Sequence, residues 1–437
     1  MNTFRKVMAL SALTFCATPC AFALPMDAGP LTLEAALKAT LAQNPQLDGY
    51  EFRVQALAGE RQTAALKPQF RTSAQLENIA GTNEYSGVDS GELTLSLSSV
   101  IELGGQRKAR LGLVTARQQQ LDTAQRVLTL DLLAQVTRQF IAVAAAQEQL
   151  RLLQQTRELA QQTVQTLNRQ VQAGRTPEAE LLRAKAAIAR ATIDAQKAEQ
   201  LLKSERVKLS IFWADATPDF TQVRADLFVI PEPAPLPDLL ARLENNPDLM
   251  LLEDEVELSA AELRHAQAER TPNLEWNVGI RRLQVTEDSA LVVGISMPLG
   301  SGGRATGAMA TAAANQAGAE LQRDQAHLRL EAHLVNLHEA YRQALSEVNT
   351  LRDDVVPQLR QAMQATANAF QQGRYSYLEL DLAQRQLLTE QLSLIAAAAR
   401  AHALGTDLER LTGASLSTPA LSNQAAPISH SQVKSLP

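Results

Sequence analysis

The chain has 437 residues, a formal net charge of -6 and 4% aromatic residues. The acidic balance argues against nucleic acid as a partner. The scarcity of Phe, Tyr and Trp argues for an elongated molecule, because compact cores draw much of their buried area from aromatic rings.

The first two dozen residues read as a secretory signal, residues 1–23. Arg5 and Lys6 precede an apolar run from Val7 to Phe15, and Ala21-Phe22-Ala23 supplies a small-residue exit. Cleavage is expected after Ala23. Cys16 and Cys20, the two cysteines, lie inside this segment, so the exported chain has no disulfide, thiolate metal site or cysteine nucleophile. Phe15 before Cys16 and Pro19 before Cys20 fit a lipid-modified cysteine poorly. No later stretch approaches the roughly 18 to 20 uninterrupted apolar residues of a spanning helix.

Residues 24–230 form a first structural repeat. A short helix over Leu33 to Asn44 is followed, after Asn44-Pro45, by another helix. A strand hairpin is expected over about 68–100, where Phe70, Thr72, Ala74 and Leu76, then Leu93, Leu95 and Leu97, alternate with polar residues. A long helical hairpin then covers about 105–212. Leu113 to Ala173 contains neither Gly nor Pro, enough for a helix on the order of 90 Å. Val143, Ala146, Leu150, Leu153, Arg157, Ala160, Val164, Leu167 and Val171 step by three and four, the spacing of a coiled-coil seam. Gly174-Arg175-Thr176-Pro177 turns the chain into a second helix from Glu178 to about Ile211.

Pro231, Pro233, Pro235 and Pro237 mark a stiff linker, residues 231–237. The plan then repeats over residues 238–413. Asn246-Pro247 answers Asn44-Pro45, Gly302-Gly303-Arg304 answers Gly104-Gly105 and Arg107, and Gly373-Arg374 answers Gly174-Arg175, each about 200 residues later. A second strand hairpin is expected over about 272–299, with Leu274, Trp276, Val278 and Ile280 and then Leu291, Val293, Ile295 and Met297 on one face. A second helical hairpin over about 304–411 follows, with Leu380, Leu387, Leu394, Ala401 and Leu408 at intervals of seven and Pro357 bending the first helix locally. Residues 414–437, rich in Ser, Ala and Pro, read as a disordered tail.

The four strands, about nine to eleven residues each, are long enough to cross a bilayer when tilted. Four strands cannot close a barrel and open edges are not tolerated in lipid, so several chains must contribute. Catalytic chemistry is hard to find. Gly302-Gly303-Arg304 lacks the Lys-Ser/Thr ending of a phosphate loop, and His327, His333 and His338, spaced by six and five, fall on different helix faces. There is no evident nucleophile-base pair, so neither an enzyme nor a cofactor is indicated.

A secreted chain with two copies of a strand hairpin plus a long helical hairpin, Asn-Pro near each start and Gly-Arg turns at the helix tips, resembles the TolC-type outer-membrane efflux proteins. The stretch Ile101-Glu102-Leu103-Gly104-Gly105-Gln106-Arg107 is similar to the heavy-metal branch, the outer-membrane subunits of cobalt-zinc-cadmium type pumps. The resemblance implies a mainly α fold with a β part, in which duplicated long antiparallel coiled-coil helices and four transmembrane β-strands build a trimeric barrel-tunnel. It places the protein in the outer membrane of a Gram-negative bacterium, with a long periplasmic extension. It implies a homotrimer whose partners are outer-membrane lipid, a periplasmic adaptor (membrane fusion) protein and an inner-membrane pump of the RND type. The cargo is a heavy-metal cation or, alternatively, a drug or organic solvent. A coiled-coil adaptor or scaffold is the reading from another class, but adaptors carry one hairpin flanked by compact β domains.

By the same resemblance, Gly174, Arg175 and Thr176, with Gly373, Arg374, Tyr375 and Ser376, match the hairpin tips that touch the adaptor. Glu379, with Asp381 and Arg374 nearby, matches the tunnel aperture, and Glu180 is its first-copy acidic counterpart. Three copies of Glu379 would form a carboxylate ring that attracts cations; the alternative is an acid favoured at a helix start by the dipole. Two departures matter: Arg374 directly follows Gly373 where the family's Arg comes one residue later, and a second family Asp falls at Leu382. Pro177 against Ser376 and Glu178 against Tyr377 are the tip differences that break a sixfold likeness to threefold.

Overall fold

The computed structural model describes residues 29–299 and 301–413; the secretory signal with both cysteines, Gly300 and the tail after Gly413 lie outside them. The first copy comprises α1 (Leu33–Gln43), α2 (Pro45–Ala65), β1 (Arg71–Glu77), β2 (Glu92–Ile101), α3 (Gln106–Gln172) and α4 (Glu178–Ser210). The second comprises α5 (Leu236–Leu243), α6 (Pro247–Glu269), β3 (Leu274–Leu283), β4 (Ser289–Ser296), α7 (Ser301–Thr350), α8 (Val356–Gln371) and α9 (Tyr377–Thr412). At 1.5 Å per residue, the 67 residues of α3 span roughly 100 Å.

The seam periodicity decides which face of each long helix is covered. Every α3 seam position from Val143 to Val171 is buried or half-buried, and Leu380, Leu387, Leu394, Ala401 and Leu408 on α9 are all buried. At mid-length the helices close on small residues. Ala397, Ala398 and Ala401 of α9 have no exposed surface and pack in one cluster with Val136, Phe140 and Val143 of α3, Ala36 of α1, and Trp213. One 18-residue window of α3 has a mean hydropathy of 1.3, apolar enough on average for a membrane span, but 44% of it is buried within the chain.

Pro357 is accommodated rather than disruptive. A π-helical turn, Leu351–Val355, joins α7 to α8, and Pro357 sits in the first turn of α8. Proline removes one backbone N–H and crowds the carbonyl four residues back, and the wider turn just ahead of it absorbs both. The proline linker is shorter than its sequence pattern suggests, because Pro235 is already the N-cap of α5 and Pro237 lies in its first turn. A proline without N–H costs nothing there. The Tyr341 hydroxyl donates to the Pro231 carbonyl, and His402 Nε2 lies 3.0 Å from the Leu227 carbonyl, which strap the segment to α7 and α9.

The two Asn-Pro pairs do the same work in each copy. Asn44 Oδ1 accepts from the Gln46 N–H at 2.9 Å and caps α2, while its Nδ2 donates to the Phe212 carbonyl at 2.8 Å. Asn246 Oδ1 accepts from the N–H groups of Asp248 (2.7 Å) and Leu249 (3.2 Å), while its Nδ2 donates to the Leu411 carbonyl at 2.6 Å. One side chain therefore starts a helix and fastens the end of the same copy's helical hairpin to it. Asn246 is fully buried. Asn246→Ala is expected to destabilise the protein by about 2–3 kcal/mol, a lost cap plus an unsatisfied buried carbonyl. Asn246→Asp should keep the cap but not the donor to Leu411; urea melts showing both variants at wild-type stability would refute the assignment.

The four strands form one antiparallel sheet in the order β1-β2-β3-β4, so the hairpins of the two copies pair directly through β2 and β3. Across it, Ala74, Leu95, Ile280 and Leu291 share one row, and Thr72, Leu97, Val278 and Val293 the next. That face is bare: Ile280 is 60% exposed and Leu291 71%. The opposite face carries Ser73, Ser96, Gly279, Gln75, Thr94 and Arg281. β1 and β4, with 7 and 8 residues, fall short of the expected nine to eleven, and Pro68 and Pro298 beyond their helix-proximal ends have no N–H for a ladder.

Candidate functional site

The hairpin tips farthest from the sheet close by one device used twice. Gly174 (φ +67°) and Gly373 (φ +71°) take the left-handed conformation after their helices. The N–H of Gly174 bonds Val171 O and that of Arg175 bonds Gln170 O; Gly373 bonds Phe370 O and Arg374 bonds Ala369 O. This pairing satisfies the last carbonyls of a helix. Gly373→Ala meets no steric neighbour, so its expected cost, about 1 kcal/mol, comes from backbone strain alone. Faster amide exchange confined to residues 368–376 is the readout, and unchanged exchange would contradict it.

The tips are also locked to each other. Leu167, Leu181 and Ala184 of the first hairpin pack with Phe370, Tyr377 and Leu380 of the second. Tyr377 is 3% exposed, and burial, with the neighbouring Asp381 charge, pushes its phenol up to about 12.

Among the sequence-derived site residues, Glu379 closes a capping box. Its Oε2 accepts from the Ser376 N–H at 2.6 Å and the Ser376 hydroxyl at 3.0 Å. Glu180 has no such role, because the N-cap of α4 is Pro177, with neither N–H nor hydroxyl. Asp381 is held by Arg385 Nε at 2.8 Å and lies 3.5 Å from the Tyr377 hydroxyl. Glu379 and Asp381 do not converge, since residues two apart on a helix point to different faces. Asp381 instead lines a groove of about 260 Å³ between the hairpins, with Arg190, Asp194, Arg385 and Leu153. Arg175, Arg374, Tyr375 and Ser376 are exposed, and Thr176 Oγ1 donates to Gln170 Oε1 at 3.1 Å.

Tyr377 is one of the tip differences read from the sequence, whereas Arg385 and the Arg190–Asp194 pair (3.1 Å) carry no motif; the i, i+4 spacing of both ion pairs is the available signal. The sheet hides another. On its polar face, at the end away from the long helices, Arg281 pairs with Glu92 (3.0 Å) and Glu77 (3.4 Å) and donates to Thr94 Oγ1 at 3.0 Å. Among the described residues no three His, Cys, Asp or Glu side chains gather as a metal site.

Comparison with known proteins agrees with this architecture. The chain is 26% identical over 390 residues to the cobalt-zinc-cadmium resistance protein CzcC of Cupriavidus metallidurans, covering 88% of this chain and 91% of that one. Its fold matches the solved structure of CusC, with a TM-score of 0.73 and 17% identity over 90% of this chain and 96% of that one. It also matches the outer membrane protein VceC of Vibrio cholerae, with a TM-score of 0.70 and 18% identity over 88% and 96% of the two chains. Residues 36–213 and 240–414, one segment in each copy, match the family described as outer membrane efflux protein. Duplicated strand hairpin, duplicated helical hairpin and matched segments coincide, and the chain belongs to the outer membrane efflux protein family.

Proposed function

We propose that three copies of this outer-membrane efflux channel protein assemble into the outer-membrane component of a tripartite system. The assembly passively conducts heavy-metal cations delivered by an inner-membrane pump and a periplasmic adaptor. The observation that carries this reading is the sheet: an apolar face in the open and two unpaired edges, β1 and β4. Lipid accepts such a face but not such edges. Pairing β4 of each copy with β1 of the next removes every edge and yields twelve strands. The polar face then lines the pore, and the coiled coils continue it into the periplasm. The metal assignment is supported by the likeness to the cobalt-zinc-cadmium resistance protein.

At the far end, Glu379 would be repeated three times around the aperture. The capping box uses Oε2 and leaves Oε1 for the lumen. In planar bilayers, Glu379→Gln should lower the cation-to-anion permeability ratio at least roughly twofold, because a ring of carboxylates concentrates cations. An unchanged ratio removes Glu379 from the aperture. Heat-labile trimers in outer-membrane extracts are expected, and a soluble periplasmic monomer would defeat the whole reading. A deletion strain that loses tolerance to organic toxicants but not to cobalt, zinc or cadmium would move the cargo to the drug class.

A further inference from the structure

The stretch Ile101 to Arg107 marks the corner where β2 turns into α3, and most of it is accounted for by building that corner. Gly104 (φ +69°) lies against Thr271, where an added Cβ would approach Oγ1 to 2.5 Å, and Gly105 (φ +73°) caps α3. Gln106 Nε2 donates to the Thr271 carbonyl at 3.1 Å, tying the first copy to the loop before β3. Glu102 is held bidentately by Arg110. Arg107 has no such task, and neither does Lys108.

Both line a groove of about 740 Å³, together with Lys67, Phe70, Ile101 and Trp276. Its floor is apolar. Phe70, 70% exposed, stands edge-on to Trp276 with ring centroids 6.3 Å apart, and Ile101 is 45% exposed. Its rim is cationic: among the described residues, Lys67, Arg107 and Lys108 are exposed and make no hydrogen bond or ion pair. The one carboxylate in the lining, Glu102, is already neutralised by Arg110. Trp276 shares its sheet row with Ile295, on the same apolar face as Leu97 and Val293 one row on, so the groove opens at the helix-proximal end of that face.

We infer that this groove binds an anionic phospholipid of the membrane leaflet facing the periplasm, with the phosphate among Lys67, Arg107 and Lys108 and the acyl chains along Phe70, Trp276 and Ile101. The inference rests on the reading that the sheet sits in the outer membrane. Amphipathic aromatic rings settle at headgroup depth, and basic side chains beside them attract anionic lipid. Three uncompensated cations over an apolar floor match a lipid with a negative head and two hydrocarbon tails. A free phosphate would have no use for the floor.

Trp276 offers the readout, since the chain has 2 tryptophans and the other, Trp213, is buried in the helical core. Detergent-purified full-length protein carrying Trp213→Phe is titrated with phosphatidylglycerol or phosphatidylcholine brominated on the acyl chains. Wild type runs alongside, with Trp276→Phe as its blank, so the measurement does not depend on Trp213→Phe folding. Phosphatidylglycerol should quench Trp276 at a concentration at least roughly tenfold lower than phosphatidylcholine. The preference should vanish in Lys67→Gln/Arg107→Gln/Lys108→Gln. Equal quenching by the two lipids overturns the inference, and so does a preference that survives the triple change. If trimers are recovered from the outer membrane while the lipids do not discriminate, the groove assignment alone falls; a soluble periplasmic protein removes both.

Discussion

Ile280→Arg is expected to abolish most trimer accumulation in the outer membrane, whereas Ser96→Arg should leave it near wild type. The two residues sit on adjacent strands, one register step apart, but on opposite faces of the sheet. Ile280 lies in the row Ala74, Leu95, Ile280, Leu291, at mid-height on the apolar face. Ser96 lies in the row Ser73, Ser96, Gly279, Val292 on the polar face, where its hydroxyl lies 2.7 Å from that of Ser73. An arginine facing lipid near the bilayer midplane costs about 2–4 kcal/mol in a barrel, and every copy in the assembly bears it. An arginine facing a water-filled pore costs little. Trimer yield after membrane fractionation, with the temperature of dissociation on gels, measures both. Equal losses from the two variants would mean that the faces are wrongly assigned.

Arg410→Met should destabilise the helical part strongly. Arg410, on α9, reaches Asp131 of α3 with Nε at 2.6 Å and grips both oxygens of Asp248 of α6 at 2.8 and 2.9 Å. Its side chain is 14% exposed; the two aspartates hold its guanidinium above its ordinary pKa against the pull of burial, so it stays charged. One cation thereby joins three helices from both copies. Removing it leaves two carboxylates facing each other without a counter-ion. Breaking a buried pair in this way costs about 3–5 kcal/mol, and the partial exposure of Asp131 puts the expectation at the lower end, about 3 kcal/mol. Arg410→Met combined with Asp131→Asn and Asp248→Asn should recover much of the loss. A urea midpoint for Arg410→Met at the wild-type value would show that the triad is dispensable.

The regular parts of the molecule were readable because they rest on periodicity. Seam residues such as Leu153 and Leu394 announce their burial by steps of three, four and seven, and Leu95 and Ile280 announce a face by alternation. Residues whose role depends on a distant partner were not readable. Nothing near Asn246 in sequence points to Leu411, and nothing near Arg410 points to Asp131. The tips fall between these cases. Gly174 and Gly373 declare the turns, but the grouping of Glu379 with Asp381 followed chain proximity, while the helix sends them to different sides. The order of the sheet was also invisible, because either hairpin edge could in principle have met the other.

That order has a consequence for biogenesis. Because β2 pairs with β3, a single chain completes a sheet of fixed register alone, yet its apolar face and both edges stay bare. On the proposed assembly, such a chain would cross an aqueous compartment before meeting its neighbours, as a template for any other strand. The folded monomer, with its sheet edges bare, would then be a species at risk in its own right. A holdase that shields the sheet until neighbouring copies arrive would therefore protect this protein more than one that merely delays its helices.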